Sequence, residues 1–420
     1  MHCRAVTIAG LFAVGCLSTA RAQTVPSATA TVPPATATAA TRSVFQTRPT
    51  TARASAASWH VYLGNLHAHT AASDGTGTAA EAFAYARETG RLDFIAVTDH
   101  NHLLGGEKAT PAKRTALYAD IKKAADDATR PGTFVGLYGQ EYSSMSKGNH
   151  VNAFDVPAVI DVPNGQFAGL LDWLDRHRDS TGAVAVVQFN HPALGFFPGR
   201  STKLEFGRDD FGDDAGWVRQ MGRVTSLVEL LNGEPLKDDP PGRAPQSMEL
   251  HYRRLLRLGF RLAPTGNQDN HKKQWGTITE ARTGVIASEL TKPALLAAMR
   301  ARHVYASEDR NLRVIVAVND GLFGDEVNTP GPLRVAVRFD DADEAAVRYT
   351  VEAVQGQVGG TDETITTVAT IDGNTPAGEW VAIDGVSLTT PGEFVYFRIT
   401  QNGAQGVDRL WTAPVWLVPQ

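Results

Sequence analysis

Short apolar runs alternate with longer amphipathic stretches from Trp59 to about residue 302. Strands are expected at His60–Leu66, Leu92–Thr98, Phe134–Tyr138, Val151–Phe154, Ala183–Phe189, Ser226–Leu231 and Arg261–Thr265. Thr78-Ala79-Ala80-Glu81 reads as a capping box that opens a helix to about Thr89. Pro111, after Thr110, sits at the first position of a second helix, where its missing N–H costs nothing. Further helices are expected at Phe167–Arg178, Ser247–Leu258 and Lys292–Arg302. Such alternation implies a mostly parallel sheet with helical crossovers. Seven strands over 59–310 favour an α/β fold of the distorted seven-stranded (βα) barrel kind over an open doubly wound sheet. No Gly-x-Gly-x-x-Gly opens a helix after the first strand, which argues against dinucleotide binding.

After about Ser307 the period shortens. Alternating runs at Leu312–Val318, Leu333–Phe339, Ala346–Val354, Thr364–Thr370, Trp380–Ile383, Phe394–Ile399 and Trp411–Leu417 are separated by turn residues such as Asn319-Asp320-Gly321 and Asn402-Gly403. This pattern predicts a small all-β sandwich domain over 311–420.

The N-terminal segment has a different character. Arg4, the apolar stretch Ala5–Leu17 and the small-residue site Ala20-Arg21-Ala22 read as a signal peptide over 1–22, which places the mature protein in the periplasm or outside the cell. Lipid attachment at Cys16 is the second reading. Residues 23–58 are rich in Ala, Thr, Pro and Ser, carry no acidic residue and are expected to form a disordered linker. Both cysteines, Cys3 and Cys16, lie in the leader, so a mature chain has no disulfide and no thiolate ligand. The net charge of −5 argues against coating nucleic acid, and no apolar run in the body is long enough to span a membrane.

Polar clusters punctuate the ends of the strands. They are His67-Ala68-His69-Thr70 with Ser73-Asp74-Gly75, Thr98-Asp99-His100-Asn101-His102, Gly139-Gln140-Glu141, Asn149-His150, Asn190-His191-Pro192 and Asp269-Asn270-His271. Two residues apart on a strand, His67 and His69 project to one face. Asp99 is either a ligand or a carboxylate that orients an imidazole. His102 reads equally as a ligand or a solvated loop residue. Imidazoles and carboxylates gathered at one rim suit a multinuclear site of divalent ions, Zn²⁺, Mn²⁺ or Fe²⁺.

These motifs, in this order, resemble those of the PHP (polymerase and histidinol phosphatase) family over about residues 59–310, including the closing Val304-Tyr305-Ala306-Ser307. The last motif is one residue longer than usual between Gly266 and Asp269. The resemblance implies that His67, His69, Glu141 and Asp269 hold a first ion. Asp74, His100 and a bridging Glu141 would hold a second, and His150, His191 and His271 a third. It also implies hydrolysis of a small-molecule phosphomonoester or phosphodiester, by a water activated between ions at Glu141, Asp74 and His100. Arg200, Lys203 and Lys272 are candidate phosphate contacts, although the reading as solvated surface charges is the stronger one for each. The stretch from His191 to about Val218 is long enough to cover a substrate. A carbamate, amide or ester hydrolase with the same site is the alternative, as in carbaryl hydrolases of similar architecture. A non-catalytic binding module is the third reading, disfavoured by so complete a ligand set. Oligomeric state is not legible.

Overall fold

Both faces of the leading strands are apolar, and both are covered. The computed structural model describes residues 59–143, 149–192, 202–233, 248–344, 347–371, 378–403 and 406–419, apart from the side chains of 202–204. Strands β1 (His60–Asn65), β2 (Phe94–Val97) and β3 (Val135–Tyr142) run parallel. Phe94 and Ala96 join Leu63, Val135 and Leu137 on one face, while Ile95 and Val97 pack with Phe83 of α1 (Ala79–Glu88) and Ile121 of α2 (Pro111–Ala128). The expected capping box is present: the Thr78 amide donates to Glu81 at 2.7 Å and the Glu81 amide donates to Thr78 at 3.2 Å. Pro111 opens α2 as predicted.

The sheet is mixed rather than mostly parallel. Strand β4 (Val151–Phe154) is antiparallel to both β3 and β5 (Val187–Phe189), since the eight residues between β3 and β4 are too few for the crossover a parallel pairing needs. Parallel pairing resumes through β6 (Thr225–Leu231) and β7 (Ala263–Gly266). Strand β8 (Arg282–Ala287), not foreseen, pairs antiparallel with β1, and β9 (Val304–Ser307) pairs antiparallel with β8. The spatial order is therefore β9-β8-β1-β2-β3-β4-β5-β6-β7.

This sheet curls until its far strand reaches the near ones. The Gly266 amide donates to Thr283 Oγ1, whose hydroxyl donates back to Gly266 O, both at 3.0 Å. A Cβ on Gly266 would stand 2.5 Å from the Arg282 carbonyl oxygen, so only glycine permits this approach. At the rim Ala68 and Asn270 form a parallel bridge. Among the described residues no ladder joins β7 to β8 or β1, so the contact is made by side chains and loops and a ring of seven paired strands is not formed.

Helices α3 (Phe167–Arg176), α5 (Glu249–Leu258) and α6 (Lys292–Arg300) fall where the sequence places them. The long stretch after His191 is not simply loop: a helical turn segment spans Thr202–Phe211 and α4 covers Asp214–Met221. No helix among the described residues is long and apolar enough to cross a membrane.

The C-terminal strands continue the same sheet. Gly406–Thr412 pairs with β9, Glu393–Gly403 with Gly406–Thr412, and Arg348–Gln357 with Glu393–Gly403. A second sheet of Arg313–Val318, Val335–Asp340 and Trp380–Ile383 packs on it, with Phe339 stacked on Tyr349 at 4.2 Å. Two layered β-sheets are thus present, and one is an extension of the first sheet. The leader and linker readings fall on 1–58, outside the described residues.

Candidate metal centre

Strands β1 to β5 and β7 contribute polar side chains to one rim. His67 and His69 follow β1, His100 follows β2, Glu141 lies near the end of β3, His191 follows β5, and Asp269 and His271 follow β7. His150 precedes β4, and because β4 is reversed this still places it at the same rim.

Three groupings emerge. In the deepest, His67 Nε2 and His69 Nε2 stand 3.1 Å apart. Glu141 Oε1 lies 3.3 Å from His67, and Asp269 Oδ1 lies 3.3 and 3.1 Å from the two imidazoles. In the second, Asp74 approaches His100 Nε2 at 3.5 Å, His271 Nε2 at 3.5 Å and His69 Nδ1 at 3.7 Å. In the third, His150 Nδ1 and His191 Nε2 lie 3.0 and 3.4 Å from Glu141 Oε1. His100 Nδ1 lies 2.9 Å from Glu141 Oε2, so the two oxygens of Glu141 touch all three groups. The first grouping is the one anticipated. The division differs at His271, which stacks on His69 at 4.1 Å and faces Asp74 rather than joining His150 and His191.

The longer approach to Asp269 is absorbed locally. Asn267 Oδ1 accepts from the Leu66 amide at 2.8 Å, Gln268 binds the Gly276 amide at 2.9 Å, and Asp269 turns the chain with a φ of 47°. This segment is therefore not extended, and Asp269 and His271 diverge to different groupings. His191 also has a left-handed backbone, with φ 34°. Two such ligand candidates place local strain at the site.

Supporting groups hold the candidates in place. Asp99 stays out of the imidazole cluster. It accepts from the Thr70 amide at 2.8 Å, Thr70 Oγ1 at 2.7 Å and Ser73 Oγ at 2.6 Å, and so shapes the turn that carries Asp74. Asn190 donates to Glu141 at 2.8 Å. His102 lies beside His100, with ring centroids 5.7 Å apart and a buried Nδ1 that lacks a partner. Sequence reasoning missed Glu229, a fully buried carboxylate inside β6 that accepts at Oε1 from His67 Nδ1 at 2.8 Å. A lone acid within the apolar run Thr225–Leu231 was its signal. Of the basic candidates, Lys272 is exposed beside His271, while Arg200 and the side chain of Lys203 lie outside the described residues.

The pocket deepens from an open mouth. Asp74 and His271 side chains are 40% and 37% exposed, whereas His67, His69 and Glu141 are buried. Burial alone pushes His100 down, but Glu141 and Asp74 outweigh it and hold its imidazolium up to about 10. His67 is likewise raised: burial opposes, and Asp269, Glu141 and Glu229 prevail. His69 is pushed down to about 4, chiefly by burial. Glu141 and Asp269 are lowered, since neighbouring imidazoles overcome the cost of burial.

A cation fits this donor set. His69 Nδ1, His150 Nε2 and His191 Nδ1 are buried without hydrogen-bond partners, so these three imidazoles of a carboxylate-rich cluster each keep an unsatisfied ring nitrogen. The groups His69–Asp74–His100–His271, His67–His69–Glu141 and His100–Glu141–His150 each bring their ligand atoms within 4.8 Å of one another. Nitrogen and oxygen donors without thiolate suit Zn²⁺, Mn²⁺ or Fe²⁺. No protein-family model matches the chain, and no curated protein matches it.

Proposed function

We propose that this chain is an exported, metal-dependent phosphoesterase of the PHP type. The observation that carries the reading is convergence: eight histidine and aspartate side chains, carried by several strand ends and the Asp74 turn, gather with Glu141 at one rim. Divalent ions held by these residues would supply an activated water and neutralise negative charge on the phosphoryl oxygens. The chain's own residues do the rest. Glu141 spans the groupings with both oxygens and keeps their spacing. Asp74 and His271 stand where substrate enters, and the deeper His67 and His69 are sealed from bulk water. Asn190 and Asp99 hold Glu141 and the Asp74 turn in register.

Metal analysis of the purified protein, with turnover of p-nitrophenyl phosphate, bis-p-nitrophenyl phosphate and 1-naphthyl methylcarbamate, tests this. Two or three ions and cleavage of a phosphoester are expected. His67→Ala should strip the deep ion and reduce turnover by at least about 10³-fold. Carbamate cleavage alone would move the reading to carbamates. Absence of bound metal in the wild-type chain would remove it.

A further inference from the structure

Glu229 makes more contacts than a packing role needs. Oε1 accepts from His67 Nδ1 at 2.8 Å, Asn267 Nδ2 at 3.0 Å and Gln188 Nε2 at 3.3 Å. Oε2 accepts from the His191 amide at 2.8 Å and Asn232 Nδ2 at 2.6 Å. The side chain is fully buried, and each of these partners except His67 is a neutral amide. Among these partners the His67 imidazole is the one side chain that could ligate a cation, so the carboxylate is built directly behind the site.

The hydrogen bond has a direction. The carboxylate oxygen accepts from His67 Nδ1, so when the ring is neutral and free to ligate, its Nε2 lone pair faces outward. That lone pair looks at His69, Glu141 and Asp269, the deepest grouping. A carboxylate behind a ligating imidazole locks its orientation and raises its basicity. The second oxygen reaches the opposite side of the site, because the His191 amide it binds belongs to the residue held at φ 34°. One carboxylate thus fixes a ring after β1 and a strained backbone after β5.

We propose that Glu229 is a positioning residue that sets the metal affinity of the His67–His69–Glu141–Asp269 pocket, by fixing the protonated nitrogen of His67 and the backbone of His191. This rests on the metal-centre reading above. The test titrates zinc alone against a competing chromophoric chelator in the full chain, and compares melting temperatures with and without zinc. In Glu229→Gln the tightest zinc step should weaken by about 10–100-fold, with weaker steps changed by less than about threefold. The zinc-induced rise in melting temperature should shrink accordingly. Glu229→Asp, which keeps the charge, should recover part of the tight step. If Glu229→Gln fails to fold, Asn232→Ala removes a single partner of Oε2 and should weaken the same step by a smaller factor.

A merely structural Glu229 would lower the melting temperature equally with and without zinc and leave the tight step unchanged, which overturns the inference while sparing the metal centre. No zinc binding by the wild-type chain would overturn both.

Discussion

At the scale of single residues, His67 and His100 carry charge that a bound cation would replace. His100 is held up to about 10 and His67 well above its usual value by carboxylates that would otherwise face a metal ion. A ligating imidazole must shed that proton, so metal uptake releases protons. Zinc titrations near pH 7.5 in buffers of different ionisation enthalpy should therefore report release of about one proton or more per chain. Identical heats in all buffers would contradict it. The linkage has a definite sign. A raised imidazole stabilises the metal-free protein below about pH 6.5, and that contribution is lost as pH rises through about 10. The chelated protein should melt at progressively lower temperature across that window, and the zinc-loaded protein should not follow it. Asp408 shows the same sign at lower pH. Burial first, then Asp309 and Glu308, push its carboxyl up to about 6, so its ionisation weakens the fold as pH rises from about 4 past 6. Asp408→Asn should add about 1 kcal/mol at pH 7.5, after allowance for solvent screening, and nothing at pH 4. Thermal melts at the two pH values check this. The candidate ligands were legible in the sequence because each sits beside an apolar run that ends at the rim. Glu229 was not singled out, since a single acid within such a run carries no motif. The place of His271 was not legible either, because it depends on the turn at Asp269 and not on the Asp-x-His spacing.

Elements were legible where a local rule governs them. The Thr78–Glu81 box and Pro111 predicted the starts of α1 and α2, because the bonds that set them are a few residues apart. Strand β8 escaped because its signal is hidden. It begins with Arg282, whose buried guanidinium donates to the carbonyls of Gly276, Thr279 and Ala281, and Gly284 lies under the ring of Tyr305. An arginine and a glycine within six residues look like a loop until tertiary contacts satisfy them. The reversal of β4 is likewise a matter of pairing, which periodicity does not encode. The contact between β7 and β8 makes a sharp test at this scale. Gly266→Ala drives a methyl into the Arg282 carbonyl and should destabilise the protein by about 1–3 kcal/mol. It should also weaken zinc binding, since Asn267 and Asp269 follow directly. Denaturant unfolding combined with the zinc titration would show both effects, and an unchanged midpoint would mean that β7 and β8 are not so closely apposed.

At the scale of the whole molecule, the change in sequence texture near residue 310 suggests two modules, yet the sheet does not stop there. Strand β9 is hydrogen-bonded on one side to β8 and on the other to Gly406–Thr412, so its second neighbour comes from the end of the chain. Ion pairs and polar bonds span the same junction. Glu249 of α5 accepts from Tyr396 at 2.6 Å and Arg398 at 3.1 Å, Arg409 grips Glu308 through two nitrogens, and Arg313 reaches Asp93 at 3.0 Å. Truncation after residue 310 would leave β9 as an unpaired edge and expose the apolar face that Phe397, Leu410 and Val415 cover. It would also leave Glu249 buried among fewer partners, at a cost of about 1–3 kcal/mol for each lost charged bond. The expectation is that the full chain unfolds in one calorimetric transition, and that a 59–310 fragment is aggregation-prone and binds zinc far more weakly. A soluble fragment with the zinc affinity of the full chain, or two separate transitions, would show that the C-terminal strands are an appended module. The junction lies on the side of the sheet that β1 and β8 share, and β1 leads directly into His67 and His69. Loosening the C-terminal strands should therefore reach the metal centre through β8 and β1, without any C-terminal residue touching it.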